Sequence, residues 1–215
     1  MQIWAEHLLP RLTDVVLGTK EVQRHRERAL AGLHGAIVEI GFGSGLNVAS
    51  YPPAVHTVHA VEPSMVARRL AAARVQASPA SVSFVGLDGQ DLALPDDSVD
   101  MALSTFTLCT IPDAPRALRE LHRVLRPGGA LHFLEHGLAP EPSIARWQHR
   151  LNPIQQRVAG GCHLDRRVDQ LVVDAGFDIQ DLRTQQMTGP RLSRPWGYLY
   201  CGVAVKTTVS ERTRP

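Results

Sequence analysis

The chain predicts an α/β fold with a mainly parallel sheet. Short apolar, β-branched runs alternate with stretches of helical period along its length. A glycine-rich turn, Gly41-Phe-Gly43-Ser-Gly45, directly follows the first such run. At 215 residues the chain is long enough for one domain with a substantial core.

The elements follow in order. Helical stretches around 5–17 and 20–33 come first, then a buried strand, Ala36-Ile-Val-Glu-Ile40. The glycine turn leads into a predicted helix that must stop at Pro52-Pro53. Val55 to Val61 is β-branched and reads as a strand ending at Glu62, and Ser64 caps a helix running to Ala77. Val82–Val85 and Val99–Ser104 are the third and fourth strands. Ala114, Ala117, Leu118, Leu121, Val124 and Leu125 recur at helical spacing until Pro127-Gly-Gly129, and Ala130–Leu134 is the fifth strand. Ile144, Trp147 and Leu151 predict a short helix, and Pro153 is expected to open another. Val168, Leu171, Val172 and Ala175 mark a helix closed by Gly176, followed by strands around 177–184 and 197–205.

Composition excludes several function classes. The 44% hydrophobic and 20% charged fractions are those of a globular chain. A net charge of +2 argues against nucleic acid, which needs a concentrated basic face. The basic stretch Arg11, Lys20, Arg24, Arg26 and Arg28 is interrupted by acids and reads as a solvated helix face. No run reaches the ~18 apolar residues of a membrane span, so stable insertion is not expected. Three dispersed cysteines, Cys109, Cys162 and Cys201, predict a reducing, cytoplasmic setting.

The glycine turn frees backbone for close approach of a ligand. A dinucleotide fingerprint would need glycine at position 46, where this chain has Leu46. Glu62, about twenty residues on, suits a ribose-hydroxyl acceptor. Asp88-Gly89-Gln90, Leu94-Pro-Asp-Asp-Ser-Val-Asp100 and Arg119-Glu-Leu-His-Arg-Val-Leu-Arg-Pro-Gly-Gly129 complete a pattern that resembles class I S-adenosylmethionine-dependent methyltransferases. The resemblance implies a Rossmann-like, seven-stranded sheet with a reversed last strand. It also implies an N-terminal helical cap over 1–35, a cofactor-binding domain over 36–206 and a frayed tail over 207–215.

It further implies cofactor contacts at Glu39, Gly41, Gly43, Gly45, Glu62, Ser64, Met65, Asp88, Gly89, Thr105 and Phe106. Tyr51-Pro-Pro53, Thr107-Leu-Cys109-Thr110, Glu135-His136-Gly137, Trp147-Gln148 and Gly160-Gly-Cys162-His163 resemble a bacterial subgroup related to the methyltransferase-like-seven thiol methyltransferases. The implied reaction is methyl transfer to a small molecule, with a thiol as favoured acceptor. A quinone, phenol, amine or lipid headgroup is the alternative, and a non-catalytic cofactor-binding domain a further one.

His136, at the carboxyl end of the fifth strand, is the first candidate base, with Glu135 or a backbone group to orient it; His163 is the second. Tyr51, Cys109, Trp147 and Cys162 are candidate pocket residues, and Trp4 joins Tyr51 as a candidate lid residue. Cys162-His163 supplies too few ligands for zinc, so no metal site is expected. A monomer or homodimer is expected.

Overall fold

The computed structural model describes residues 8–207. Trp4 and most of the tail lie outside them. Seven strands form one sheet in the order β3-β2-β1-β4-β5-β7-β6. They are β1 (Gly35–Ile40), β2 (Val55–Val61), β3 (Ser81–Gly86), β4 (Val99–Thr105), β5 (Leu125–His136), β6 (Phe177–Gln186) and β7 (Tyr198–Lys206). Strands β1 to β5 pair in parallel, and β7 lies antiparallel between β5 and β6. The expected seven-stranded sheet with a reversed last strand is therefore observed.

Alternate residues of the strands feed a core on each face. Ile37 joins Leu30, Leu33 and Ala71 on one side, while Val38 joins Leu118, Leu121 and Val172 on the other. The helices are α1 (Leu9–Leu17), α2 (Lys20–Leu30), α3 (Met65–Gln76), α4 (Ala114–Val124), α5 (Pro142–Val158) and α6 (Val168–Asp174). Local chemistry explains their starts. Ser64 Oγ accepts the Ala67 N–H at α3, and Asp113 accepts the Arg116 N–H at α4. Ala114, Ala117, Leu118, Leu121 and Val124 make the buried stripe of α4.

Two expected elements differ. The segment after the glycine turn forms only a 3₁₀ turn, Val48–Ser50. Gly41, Gly43 and Gly45 all hold positive φ, which leaves few residues before Pro52 to nucleate an α-helix. Tertiary bonds also claim this segment, since the buried Asn47 amide donates to Glu39 and Thr105. In addition, α5 runs unbroken through Pro153 rather than restarting there. Buried Asn152 anchors that point, donating to Asp165 and accepting the Leu164 N–H.

Helix α1 has no buried residue and is tied down by polar contacts. Asp14 accepts from Ser44 Oγ at 2.5 Å and from Arg74 at 2.8 Å. Partly exposed pairs of this kind contribute ~0–1 kcal/mol. Asp14→Ala should therefore leave global stability within about 1 kcal/mol while accelerating amide exchange across Leu9–Leu17. Unchanged exchange would show that α1 is held by other contacts.

Candidate active site

The carboxyl ends of β1, β2, β4 and β5 open into a cavity of about 1370 Å³. It lies where the strand order reverses between β1 and β4, the position at which open α/β sheets bind ligands. Single-ligand clefts run roughly 300–1,000 Å³, so this one has room for a cofactor and an acceptor together. Helix α1 covers one side through Leu9, Leu12, Val16 and Leu17.

The loop after β1 is built for close approach. Gly41 and Gly43 line the cavity at φ +67° and +58°. A Cβ on Gly41 would run into the Thr107 side chain. Glu62, at the end of β2, braces the loop: its two carboxylate oxygens accept the Gly43 and Ser64 N–H groups, each at 2.7 Å. Each oxygen keeps a lone pair, and the side chain borders the cavity. Burial pushes the Glu62 carboxyl up, and the Ser64 and Gly43 N–H groups oppose that rise.

Of the residues expected at a cofactor, the cavity brings together Gly41, Gly43, Glu62, Ser64, Asp88, Gly89, Thr105 and Phe106. Asp88 is exposed and accepts from the Gln90 backbone and side chain, while Gly89 packs beneath it against Ile40 and Ile111. Three others do not face the cavity. Glu39 is fully buried beneath the loop, where it accepts from Asn47 and Tyr51. Gly45 packs against Phe42, Val48 and Ala71, and Met65 is 57% exposed on α3. Burial raises the Glu39 carboxyl to about 7, against the pull of its hydrogen bonds and Arg26.

Two of the four expected pocket residues also lie elsewhere. The Tyr51 hydroxyl is committed to Glu39, so its ring braces the loop from within the core. Trp147 is 55% exposed on α5. Cys109 and Cys162 do line the cavity, as do His136 and His163. Glu135 does not orient His136. Its fully buried carboxylate accepts from Ser104 Oγ and from the Thr107 and Cys109 N–H groups, fixing the turn after β4.

The fold places beside Cys162 not its sequence neighbour His163 but Cys109 and His136. Cys162 Sγ stands 3.8 Å from Cys109 Sγ and 3.6 Å from His136 Nδ1. The hydrogen bond between the two thiols lowers Cys162, with His136 adding to the effect, and raises Cys109. Burial lowers His163, and the nearby Arg166 adds to the effect.

Arg26 escaped the sequence reading. It is 3% exposed rather than on a solvated face, and it donates to Asn47 Oδ1 at 2.7 Å and Thr105 Oγ1 at 3.1 Å. Its guanidinium lies 5.4 Å from the centre of the Phe106 ring. Burial lowers Arg26 to about 10, while Glu39 and Glu135 hold its charge in place. The signal available was spacing: Val22, Arg26, Ala29 and Leu30 fall on one helical stripe.

Residues 38–133 match a family model described as a methyltransferase domain. The chain is 32% identical over 220 residues to the human thiol S-methyltransferase TMT1A, covering 94% of this chain and 86% of that protein. It is 24% identical to a Cereibacter sphaeroides phosphatidylethanolamine N-methyltransferase, over 67% of this chain and 71% of the relative. Among solved structures, Haemonchus contortus phospholethanolamine N-methyltransferase 2, in complex with phosphomonomethylethanolamine and S-adenosylhomocysteine, superposes with a TM-score of 0.65 at 14% identity. That match covers 93% of this chain and 57% of that one. A cavity at the switch point with room for the cofactor, a glycine loop open to it and a carboxylate at the end of β2 fit S-adenosylmethionine. With this fold and these relatives, the chain belongs to the class I S-adenosylmethionine-dependent methyltransferases.

Proposed function

We propose that the protein methylates the sulfur of a small thiol. The observation that carries this reading is the cavity wall at the ends of β4 and β5, where Cys109, Cys162 and two imidazoles meet apolar side chains. The names of the human relatives point the same way.

When bound, S-adenosylmethionine supplies an electrophilic methyl group on a sulfonium. The loop at 41–45 and Glu62 orient it, with the Glu62 lone pairs available to the ribose diol. Helix α1 and the loop after α5 enclose the acceptor and exclude water, which favours a reaction in which charge is lost. In this reading α1 alone, bordering the cavity, serves as a cap, while α2 packs into the core through Ala29 and Leu30 rather than capping a 36–206 body.

The energetics favour sulfur. A thiol of pKa ~8.5 needs roughly 2 kcal/mol to ionise at pH 7, against roughly 4.6 for an alkylammonium near ~10.4. In this reading His163, which lines the same cavity, relays the acceptor's proton to solvent. The three cysteines are free, in keeping with a reducing, cytoplasmic setting. Among the described residues no helix is long and apolar enough to cross a membrane.

An acceptor panel tests the reading. Alkyl and aryl thiols, phenols, amines and phosphatidylethanolamine vesicles are each incubated with the enzyme and S-adenosylmethionine, and methylated product is weighed by mass spectrometry. Thioethers should dominate. Product only from phenols, amines or lipid would overturn the thiol assignment.

A further inference from the structure

We propose that Cys109, Cys162 and His136 form a zinc site whose fourth position, open to the cavity, takes the sulfur of the acceptor. The donors arrive from three elements: the turn after β4, the last residue of β5 and the loop after α5. Their ligand atoms all lie within 4.8 Å of one another. Tetrahedral zinc, with Zn–S about 2.3 Å and Zn–N about 2.0 Å, sets two sulfurs about 3.8 Å apart and a sulfur and nitrogen about 3.5 Å apart. The observed separations are 3.8 Å between the two Sγ atoms and 3.6 Å from Cys162 Sγ to His136 Nδ1.

The surroundings hold this geometry in place. The Cys109 N–H donates to Glu135, and the Cys109 carbonyl accepts the His163 N–H at 2.7 Å, which joins the two loops. Arg166 donates to the Leu108, Ile111 and Pro112 carbonyls and clamps the same turn. All three donors face the cavity. Two sulfurs and one imidazole with an open position form a ligand set that suits zinc acting on a bound substrate.

The role rests on the thiol reading above. Zinc binding displaces two protons, one from each cysteine, to solvent. The acceptor's S–H bond then breaks as its sulfur bonds to the metal, and that proton also leaves to solvent; a coordinated thiol is deprotonated outright. A lone pair on this sulfur forms the new bond to the methyl carbon. The electron pair of the breaking carbon–sulfonium bond stays with the cofactor's sulfur, and the neutral thioether leaves the metal.

Cobalt(II) makes the site visible. It is titrated into chelator-stripped protein reduced with a non-coordinating phosphine, and S-adenosylhomocysteine calorimetry on the same samples reports the cofactor site separately. Wild type should take up about one Co(II) per chain, with a sulfur-to-cobalt charge-transfer band and the intense visible bands of tetrahedral coordination. Cys162→Ser, Cys109→Ser and His136→Ala should weaken or remove these bands while S-adenosylhomocysteine still binds, and Cys201→Ser should keep them. Adding 2-mercaptoethanol should shift the bands. Absent bands in wild type, or bands unchanged in Cys162→Ser, would overturn the site; bands indifferent to the thiol would overturn its role. Either result leaves the methyltransferase assignment to the acceptor panel.

Discussion

Replacing Glu62 with alanine should weaken binding of S-adenosylhomocysteine by about 1.5–3 kcal/mol, roughly 10- to 150-fold in Kd. Two effects combine. The charge-assisted bonds available to the ribose diol are lost. The Gly43 and Ser64 N–H groups also lose their acceptor, so the loop against the cofactor loses its brace. Glu62→Gln separates the two. Its amide oxygen can keep one of the backbone bonds but carries no charge, so its affinity should fall between wild type and Glu62→Ala. Calorimetry on all three proteins checks this. Equal affinity across them would remove Glu62 from the cofactor site.

Arg26→Met should cost about 3–5 kcal/mol of stability, because it leaves Glu39 and Glu135 buried without the cation whose charge they share. For a chain of this size that is a drop of roughly 6–20 °C in Tm. The substitution also unseats Thr105 and Asn47, which Arg26 holds, so cofactor affinity should fall with stability. Arg24→Met, two residues away on the exposed face, should change stability by no more than ~0.5 kcal/mol. Thermal unfolding of the pair decides the matter. Similar Tm values for both would mean that Arg26 bears no structural charge.

The contrast between Arg24 and Arg26 shows where sequence reading stops. Apolar periodicity placed the seven strands, the Ser64 cap and the Gly176 helix end, because these follow from local chemistry and alternate burial. It did not reveal that a basic helix turns one arginine inward, since the partners Glu39 and Glu135 come from β1 and β5. The same limit explains the missing helix after the glycine turn. Asn47 and Tyr51 serve Glu39 there, and those tertiary bonds outweigh helical spacing. Glycine positions and Glu62 were legible because backbone freedom and a strand-end acid leave a linear pattern. The Cys109–Cys162–His136 cluster was not, because its members lie far apart in sequence and meet only when β4, β5 and the loop after α5 converge.

The central claim is that the turn at 41–45 and the carboxylate of Glu62 hold one nucleoside-bearing sulfonium in the cavity at the β1/β4 switch point. A crystal structure of the protein soaked with S-adenosylhomocysteine measures this directly. The account predicts the amino-acid end of the ligand along the backbone of Gly41 and Gly43, with both ribose hydroxyls on Glu62. Ligand density elsewhere on the molecule, or a ribose away from Glu62 at full occupancy, would contradict it.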